Sequence, residues 1–330
     1  MPVMRWHPLL EEWVAVNAQR QVRPIALGGK GDSTPSCPFC PGGAEGLNAP
    51  YEFVAFENKF PSFARREEGK ETGRPGGLYR TAPGKGICEV VLYSDKHGST
   101  LAGMPLAQIR RLVEVWRDRY IEMAARPFIK YVYIFENKGA VIGVTLSHPH
   151  GQIYAFPFIP PRVERELKAE ERYMRRHRRC MLCDMVRAEV RGRERLVALN
   201  RSFAAYIPFF ARYPYEVHIS SRRHRGSLAE MAPGERSALA GILKTVLLKY
   251  DNLFGFSMPY IMLMHASPTD GRPHRSHHFH VEFYPPHRSA DKIKYLAGCE
   301  SGAGTFINDT IAEEKARELR KARPAGLGAS

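Results

Sequence analysis

The chain has 330 residues, 44% of them hydrophobic and 25% charged, which is enough apolar content for two cores or one duplicated core and gives no sign of disorder. No apolar run reaches the roughly 18 residues that span a bilayer, and the first five residues lack the apolar stretch of a signal peptide, so a soluble, cytoplasmic protein with no membrane partner is expected. The net charge of +15 could attract a polyanion, but much of the excess lies in 172–179 and 222–225, which read as solvated helix and loop faces, and no nucleic-acid module is recognisable, so no specific nucleic-acid partner is expected.

In chain order, Cys37-Pro38-Phe39-Cys40 comes first and offers two thiols from one tight turn. Periodicity predicts strands at 53–57, 87–94, 131–136 and 152–158, and a helix from about 105 to 125. Glu136-Asn137-Lys138-Gly139 and His148-Pro149-His150-Gly151-Gln152 lie between and within the last two strands. Two histidines separated by one residue share a face of an extended segment, so one ring can be held by a metal while the other faces a substrate. Gly151 leaves room for a phosphate. Gln152 lies on the same face and can donate to an oxygen carrying developing charge. The Arg- and Glu-rich segment 160–179 reads as a helical connector.

The second half repeats this order. Cys180-Met181-Leu182-Cys183 answers the first cysteine pair, and Asn200 to Phe203 answers Asn58-Lys59-Phe60. Glu216 to His224 parallels Glu89 to His97, the apolar helix 233–250 parallels 105–125, and His278-Phe279-His280-Val281-Glu282 parallels His148 to Gln152. The pattern is an internal duplication, with units at 1–165 and 166–330. The expected fold class is α+β: two halves, each an antiparallel sheet packed by helices. A helix is expected after 313, with a frayed end at 323–330.

Six cysteines, four of them in Cys-x-x-Cys pairs, fit metal ligation in a reducing compartment better than a disulfide framework; Cys88 and Cys299 read as small core residues. His97 and His148 can complete a shell with Cys37 and Cys40 that suits tetrahedral Zn2+. The bland alternative is two half-buried cysteines and two unrelated histidines.

The run from Glu136 to Gln152 closely resembles the active-site motif of the galactose-1-phosphate uridylyltransferases, a branch of the histidine-triad superfamily. The resemblance extends over nearly the whole chain: Arg5-Trp6-His7-Pro8-Leu9 through Trp13, Arg20, Arg23 and Pro24, then Asn58-Lys59-Phe60-Pro61, then Phe283-Tyr284-Pro285-Pro286 and 294–300. It implies metal ligands at Cys37, Cys40, His97 and His148. It implies His150 as the nucleophile toward the α-phosphorus of UDP-glucose, Gln152 as a transition-state donor with backbone amides near 143–147 (Ser147 included), and galactose 1-phosphate as acceptor. Small hydrolases of the superfamily carry a third histidine at the place of Gln152, so glutamine favours transfer over hydrolysis.

By the same resemblance, Asn58 and Lys59 face the nucleoside. Asn137, Gly143 and Thr145 surround the diphosphate. Lys294, Tyr295, Ala297, Cys299 and Glu300 face the hexose, and Arg20 and Arg23 reach phosphate, with a homodimer placing active sites near its interface. Lys59 stands where the family commonly has an acid and Cys299 where it has a tyrosine, which keeps a related transferase or phosphorylase using ADP-glucose as the alternative. Internal symmetry places a second zinc site at Cys180, Cys183, His224 and His278. Iron held through Glu189, His265, His280 and Glu282, a Cys180–Cys183 disulfide, or no metal are the other readings. The second half is not expected to be catalytic, because Val281 and Glu282 replace the glycine and glutamine and a carboxylate repels phosphate.

Overall fold

Residues 131–138 and 150–156 bury alternate side chains on opposite faces, and this alternation organises the sheet that carries the histidines. The computed structural model describes residues 2–22, 37–65 and 77–323; Arg23, Pro24 and the tail beyond 323 lie outside these. Twelve strands and six α-helices occur among the described residues. The first half contributes β1 (Val3–His7), β2 (Glu12–Val16), β3 (Val54–Glu57), β4 (Thr81–Pro83), β5 (Ile87–Leu92), α1 (Leu106–Ala124), β6 (Tyr131–Lys138) and β7 (His150–Phe156). A connecting pair, α2 (Pro161–His177) and α3 (Met181–Gly192), leads to β8 (Leu196–Leu199), β9 (Phe203–Tyr206), β10 (Val217–Ser221), α4 (Pro233–Phe254), β11 (Tyr260–His265) and β12 (His280–Tyr284), and then to α5 (Gly298–Ala303) and α6 (Ala312–Lys321).

The duplication is visible in the strand order. The first unit runs β3-β5-β7-β6 and the second β9-β10-β12-β11, each antiparallel, with α1 and α4 inserted at the same point of the chain. The two sheets join edge to edge where the equivalent strands β6 and β11 pair antiparallel, Met262 opposite Glu136 and Met264 opposite Ile134. One nine-stranded sheet results, with β8 at its far edge, while β2-β1-β4 forms a separate three-stranded sheet. Joining the strands removes two exposed edges that would otherwise invite foreign pairing.

One face of the large sheet is covered by α1 and α4, which also pack against each other. Helix α1 buries Ile109, Leu112, Val113, Trp116, Tyr120 and Met123, a helical stripe, against Val132, Ile134, Ile153 and Ala155 of the strands. The same apolar cluster continues through Leu243, Val246 and Tyr250 of α4, so a single core spans both units. Each of these fully buried side chains contributes about 1.5–3 kcal/mol of transfer free energy. The opposite face carries His150, Gln152 and Tyr154.

Strand β7 spans two residues less at its C-terminal end than its periodicity predicts, because Pro157 has no N–H to donate to the ladder, and two more at its start, because His150 pairs with Leu92. Helix α3 was not expected; it places Cys180 at its N-cap and Cys183 in its first turn, whereas Cys37 and Cys40 sit in a turn. No helix among the described residues is long and apolar enough to cross a membrane.

Candidate active site and metal centres

The turn at 37–40, the loop after β5 and the bend just before β7 bring Cys37, Cys40, His97 and His148 together, with one ligand atom from each within 4.8 Å of the others. The Sγ of Cys37 lies 3.8 Å from His148 Nδ1, and that of Cys40 lies 3.7 Å from His148 Nδ1 and 3.5 Å from His97 Nδ1. A tetrahedral ion with bonds of about 2.0–2.3 Å needs ligand atoms roughly 3.3–3.8 Å apart, so the cluster has the dimensions of a four-coordinate site. The far nitrogens are also held: His148 Nε2 donates to the Ser94 carbonyl at 2.7 Å, and His97 Nε2 lies 2.9 Å from Ser147 Oγ. The bond to the Ser94 carbonyl leaves the His148 lone pair on the nitrogen that faces the thiols, and the Ser147 hydroxyl, able to accept from His97 Nε2, is compatible with the same tautomer there. Burial lowers the pKa of His148, which keeps it the neutral imidazole a metal requires, while burial and then the Cys37 thiol push Cys40 up to about 11.

The second half repeats the arrangement. Cys180 Sγ and Cys183 Sγ lie 3.5 and 3.3 Å from His278 Nδ1, Cys183 lies 3.8 Å from His224 Nδ1, and His278 Nε2 donates to the Ser221 carbonyl at 2.8 Å. All six cysteines are free thiols, so no Cys180–Cys183 disulfide is present. The donor sets of both clusters fit a metal.

His150 projects from the first residue of β7. Its Nδ1 lies 2.7 Å from the His148 carbonyl oxygen, which can only accept, so Nδ1 carries the proton and Nε2 the lone pair. Phe39, between the two cysteines, packs edge-on against this ring at 5.4 Å. The imidazole opens into a cavity of about 450 Å³ whose walls include Asn137, Thr145, Ser147, His148 and His150. The buried Oγ1 of Thr145 and the amide of Asn137 make no hydrogen bond among the described residues, which leaves polar groups ready for a ligand oxygen. Gly139 (φ 105°) and Gly143 (φ 84°) bracket the short turn that forms this wall, in backbone regions that side chains disfavour. Gln152 is half-buried two residues along on the same face as His150, and its side chain also bonds nothing among the described residues.

Other expected binding residues lie outside this cavity's walls. Asn58 caps its own turn, its Oδ1 accepting from Phe60 N at 2.9 Å, and Lys59 is exposed beside it. Arg20 donates to the Phe60 carbonyl and Ser62 Oγ at 3.0 and 2.7 Å, so in this chain it fixes the loop that carries Asn58 and Lys59. Arg23 falls outside the described residues. Lys294 is buried and paired with Glu300 at 2.9 Å, the Ala297 N–H donates to Glu300 at 3.2 Å, Tyr295 is exposed and Cys299 half-buried; none of the five lines the cavity of the same chain.

The iron alternative is corrected in one position. Glu189 on α3 is held by Arg195 at 2.8 Å, and it is Glu166 on α2 that joins His265 (2.7 Å) and His280 in a third cluster, with Glu282 3.6 Å from His280. Both glutamates lie on amphipathic helices, and periodicity does not say which helix face meets β11. Although burial opposes it, Glu282 and Glu166 push His280 up to about 9, and Arg162 and Arg212 add further charge to the network. Sequence reasoning also passed over Tyr51, whose hydroxyl is 3.0 Å from His148 Nε2, and Ser94, whose carbonyl orients the same ring; neither carries a local signal, since both reach His148 across long sequence separations.

The family models of galactose-1-phosphate uridyl transferase match in order: the N-terminal domain over residues 1–160 and the C-terminal domain over 166–325. The chain belongs to the galactose-1-phosphate uridyl transferase family. A family member from Thermotoga maritima, galactose-1-phosphate uridylyltransferase, is 43% identical over 97% of this chain and 98% of its own length, and that of Haemophilus influenzae is 33% identical over 97% and 94%. A solved uridylyltransferase structure superposes with a TM-score of 0.86 at 33% identity over 98% of both chains. An ADP-glucose phosphorylase from Arabidopsis thaliana with bound ADP-glucose gives 0.75 at 26% identity, covering 97% and 98%. The family's α+β architecture, seen here as two repeated antiparallel units packed by helices, agrees with the fold expected from sequence.

Proposed function

We infer that the chain is a galactose-1-phosphate uridylyltransferase, a nucleotidyltransferase that moves UMP from UDP-glucose to galactose 1-phosphate through a covalent histidine intermediate. The observation that carries the mechanism is the bond between His150 Nδ1 and the His148 carbonyl, which aims the Nε2 lone pair. Nε2 attacks the α-phosphorus, the bond from phosphorus to the bridging oxygen breaks, and glucose 1-phosphate leaves with the electron pair. A phosphate oxygen of galactose 1-phosphate then attacks the same phosphorus, the N–P bond breaks, and His150 is returned with UDP-galactose formed. Two in-line displacements separate two anions that would repel each other in a single encounter. The amide of Gln152 and the polar wall at 143–147 stabilise the non-bridging oxygens as charge develops.

Zinc at Cys37, Cys40, His97 and His148 fits the donor set and spacing, and a second zinc fits Cys180, Cys183, His224 and His278. With four protein ligands such an ion supplies structure rather than an activated water. The protein's own contribution is then the rigid His148 carbonyl that orients His150. The second unit keeps His280 but surrounds it with carboxylates, so it is read as non-catalytic, and the units at 1–165 and 166–330 as a duplication with one surviving active site. The hexose-side residues 294–300 do not line the cavity of their own chain; a homodimer, with each copy's loop reaching its partner's site, accounts for this. Six free thiols suit a reducing cytoplasm.

The test is donor competition under steady state. UDP-glucose with galactose 1-phosphate should give parallel double-reciprocal lines, and equimolar ADP-glucose should compete poorly. Preferential turnover of ADP-glucose would shift the assignment to the phosphorylase-like alternative, which the 26%-identical relative represents.

A further inference from the structure

Helix α3, the end of α2, the turn between β8 and β9 and the segment after β10 enclose a second cavity, of about 730 Å³, that shares no residue with the one around His150. Six arginines line it: Arg179, Arg187, Arg191, Arg201, Arg222 and Arg223. Asp184 is the one carboxylate on its wall among the described residues, and it is already engaged by Arg179 at 3.1 Å, by Arg187, and by the Tyr173 hydroxyl at 2.8 Å. Arg222 is fixed by donating to the carbonyls of Asn200 and Arg201 at 3.2 and 3.3 Å. Arg191, Arg201 and Arg223 hydrogen-bond to no acceptor among the described residues. Glu235 acts on Arg223 electrostatically, but its carboxylate bonds Arg225 at 3.1 Å and the Ala232 N–H at 2.9 Å.

All six arginines are exposed, so solvent screens their mutual repulsion, but a concave wall with five more guanidinium groups than carboxylates among the described residues lets one bound anion meet several of them at once. The fork geometry of arginine matches phosphate oxygens in pairs, and several forks around one space match a chain of phosphates better than one phosphate. The cavity also has the dimensions of small-ligand sites, roughly 300–1,000 Å³. Its position distinguishes it from a scattered basic surface: the arginines come from four separate chain segments that the fold gathers on one hollow.

We propose that this hollow is a binding site for a polyphosphate anion, distinct from the transfer site. The phosphate chain is the recognised group, whether it comes from an inorganic polyphosphate or a nucleoside triphosphate. The experiment titrates the full chain at 150 mM salt, taken as physiological ionic strength, with inorganic tripolyphosphate, ATP and a short duplex RNA. The comparison is the combined variant Arg191→Gln, Arg201→Gln and Arg223→Gln, with the corresponding triple lysine replacement as a charge-conserving control. The expected result is tripolyphosphate binding that weakens at least about tenfold in the glutamine variant and is partly restored in the lysine variant, with UMP transfer unchanged in both. Tighter binding of ATP than tripolyphosphate identifies a nucleotide as the source, and equal binding identifies the phosphate chain alone. Equal tripolyphosphate affinity in wild type and glutamine variant overturns the proposal, as does RNA binding that is lost in the variant but not displaced by tripolyphosphate.

Discussion

The hydroxyl of Tyr93, the residue after β5, occupies the space where any side chain at position 151 would begin, so the glycine after His150 makes room for that ring and not, as its place beside the histidines suggests, for a phosphate. The Phe135 carbonyl closes the same space at 3.2 Å. Gly151→Ala should therefore push β7 away from the tyrosine, costing about 1–3 kcal/mol of stability and displacing His150. Thermal unfolding and transfer rate should both fall. A double variant with Tyr93→Phe, which removes the obstructing oxygen, should recover much of the stability, and purely additive effects would show that the contact is not the cause.

Beneath the same strand, Glu136 is a buried acid. Burial pushes it up to about 7, with Tyr260 donating to it at 2.8 Å. Its pKa in the fold lies above that of the unfolded chain, so its contribution to stability is complete below about pH 4.5 and is lost as pH rises through about 7. The loss by pH 8 amounts to about 3 kcal/mol. Glu136→Gln should flatten that decline, gaining on wild type at pH 8 relative to pH 5. Parallel stability curves for the two proteins would remove Glu136 as the titrating group.

The paired clusters predict metal content directly. Purified protein should carry two zinc ions per chain. Cys37→Ser should retain one ion and lose both thermal stability and transfer, and Cys180→Ser should retain one and keep transfer better than Cys37→Ser does. Full zinc content in either variant, measured by mass spectrometry of the metal, would contradict the ligand assignment.

Arg20 reaches the loop that holds Asn58 and Lys59 rather than the cavity. Arg20→Ala should raise KM for UDP-glucose about tenfold with little change in kcat, the signature of lost binding that is uniform along the reaction. A fall in kcat with KM unchanged would instead place Arg20 at the transition state.

Much of this was legible in the sequence because it depends on short periods. Alternation at 131–136 gave strand β6, the repeated Cys-x-x-Cys and His-x-His motifs gave two cysteines and one histidine of each Cys/His cluster, and family resemblance and internal symmetry supplied His97 and His224. What was not legible depends on long-range contact. Tyr93 under Gly151, Tyr51 against His148 and Glu166 rather than Glu189 beside His265 are set by which helix face or strand neighbour the fold presents. The fusion of the two sheets through β6 and β11 is likewise a pairing between equivalent strands that neither half displays alone.

On the proposed mechanism His150, and not its counterpart His280, carries UMP. Intact-mass spectrometry after brief incubation with UDP-glucose and no acceptor, followed by peptide mapping, tests it directly. A single uridylyl adduct on His150, absent in His150→Ala and removed by galactose 1-phosphate, is the predicted result; an adduct on His280, or none in active enzyme, would contradict the account.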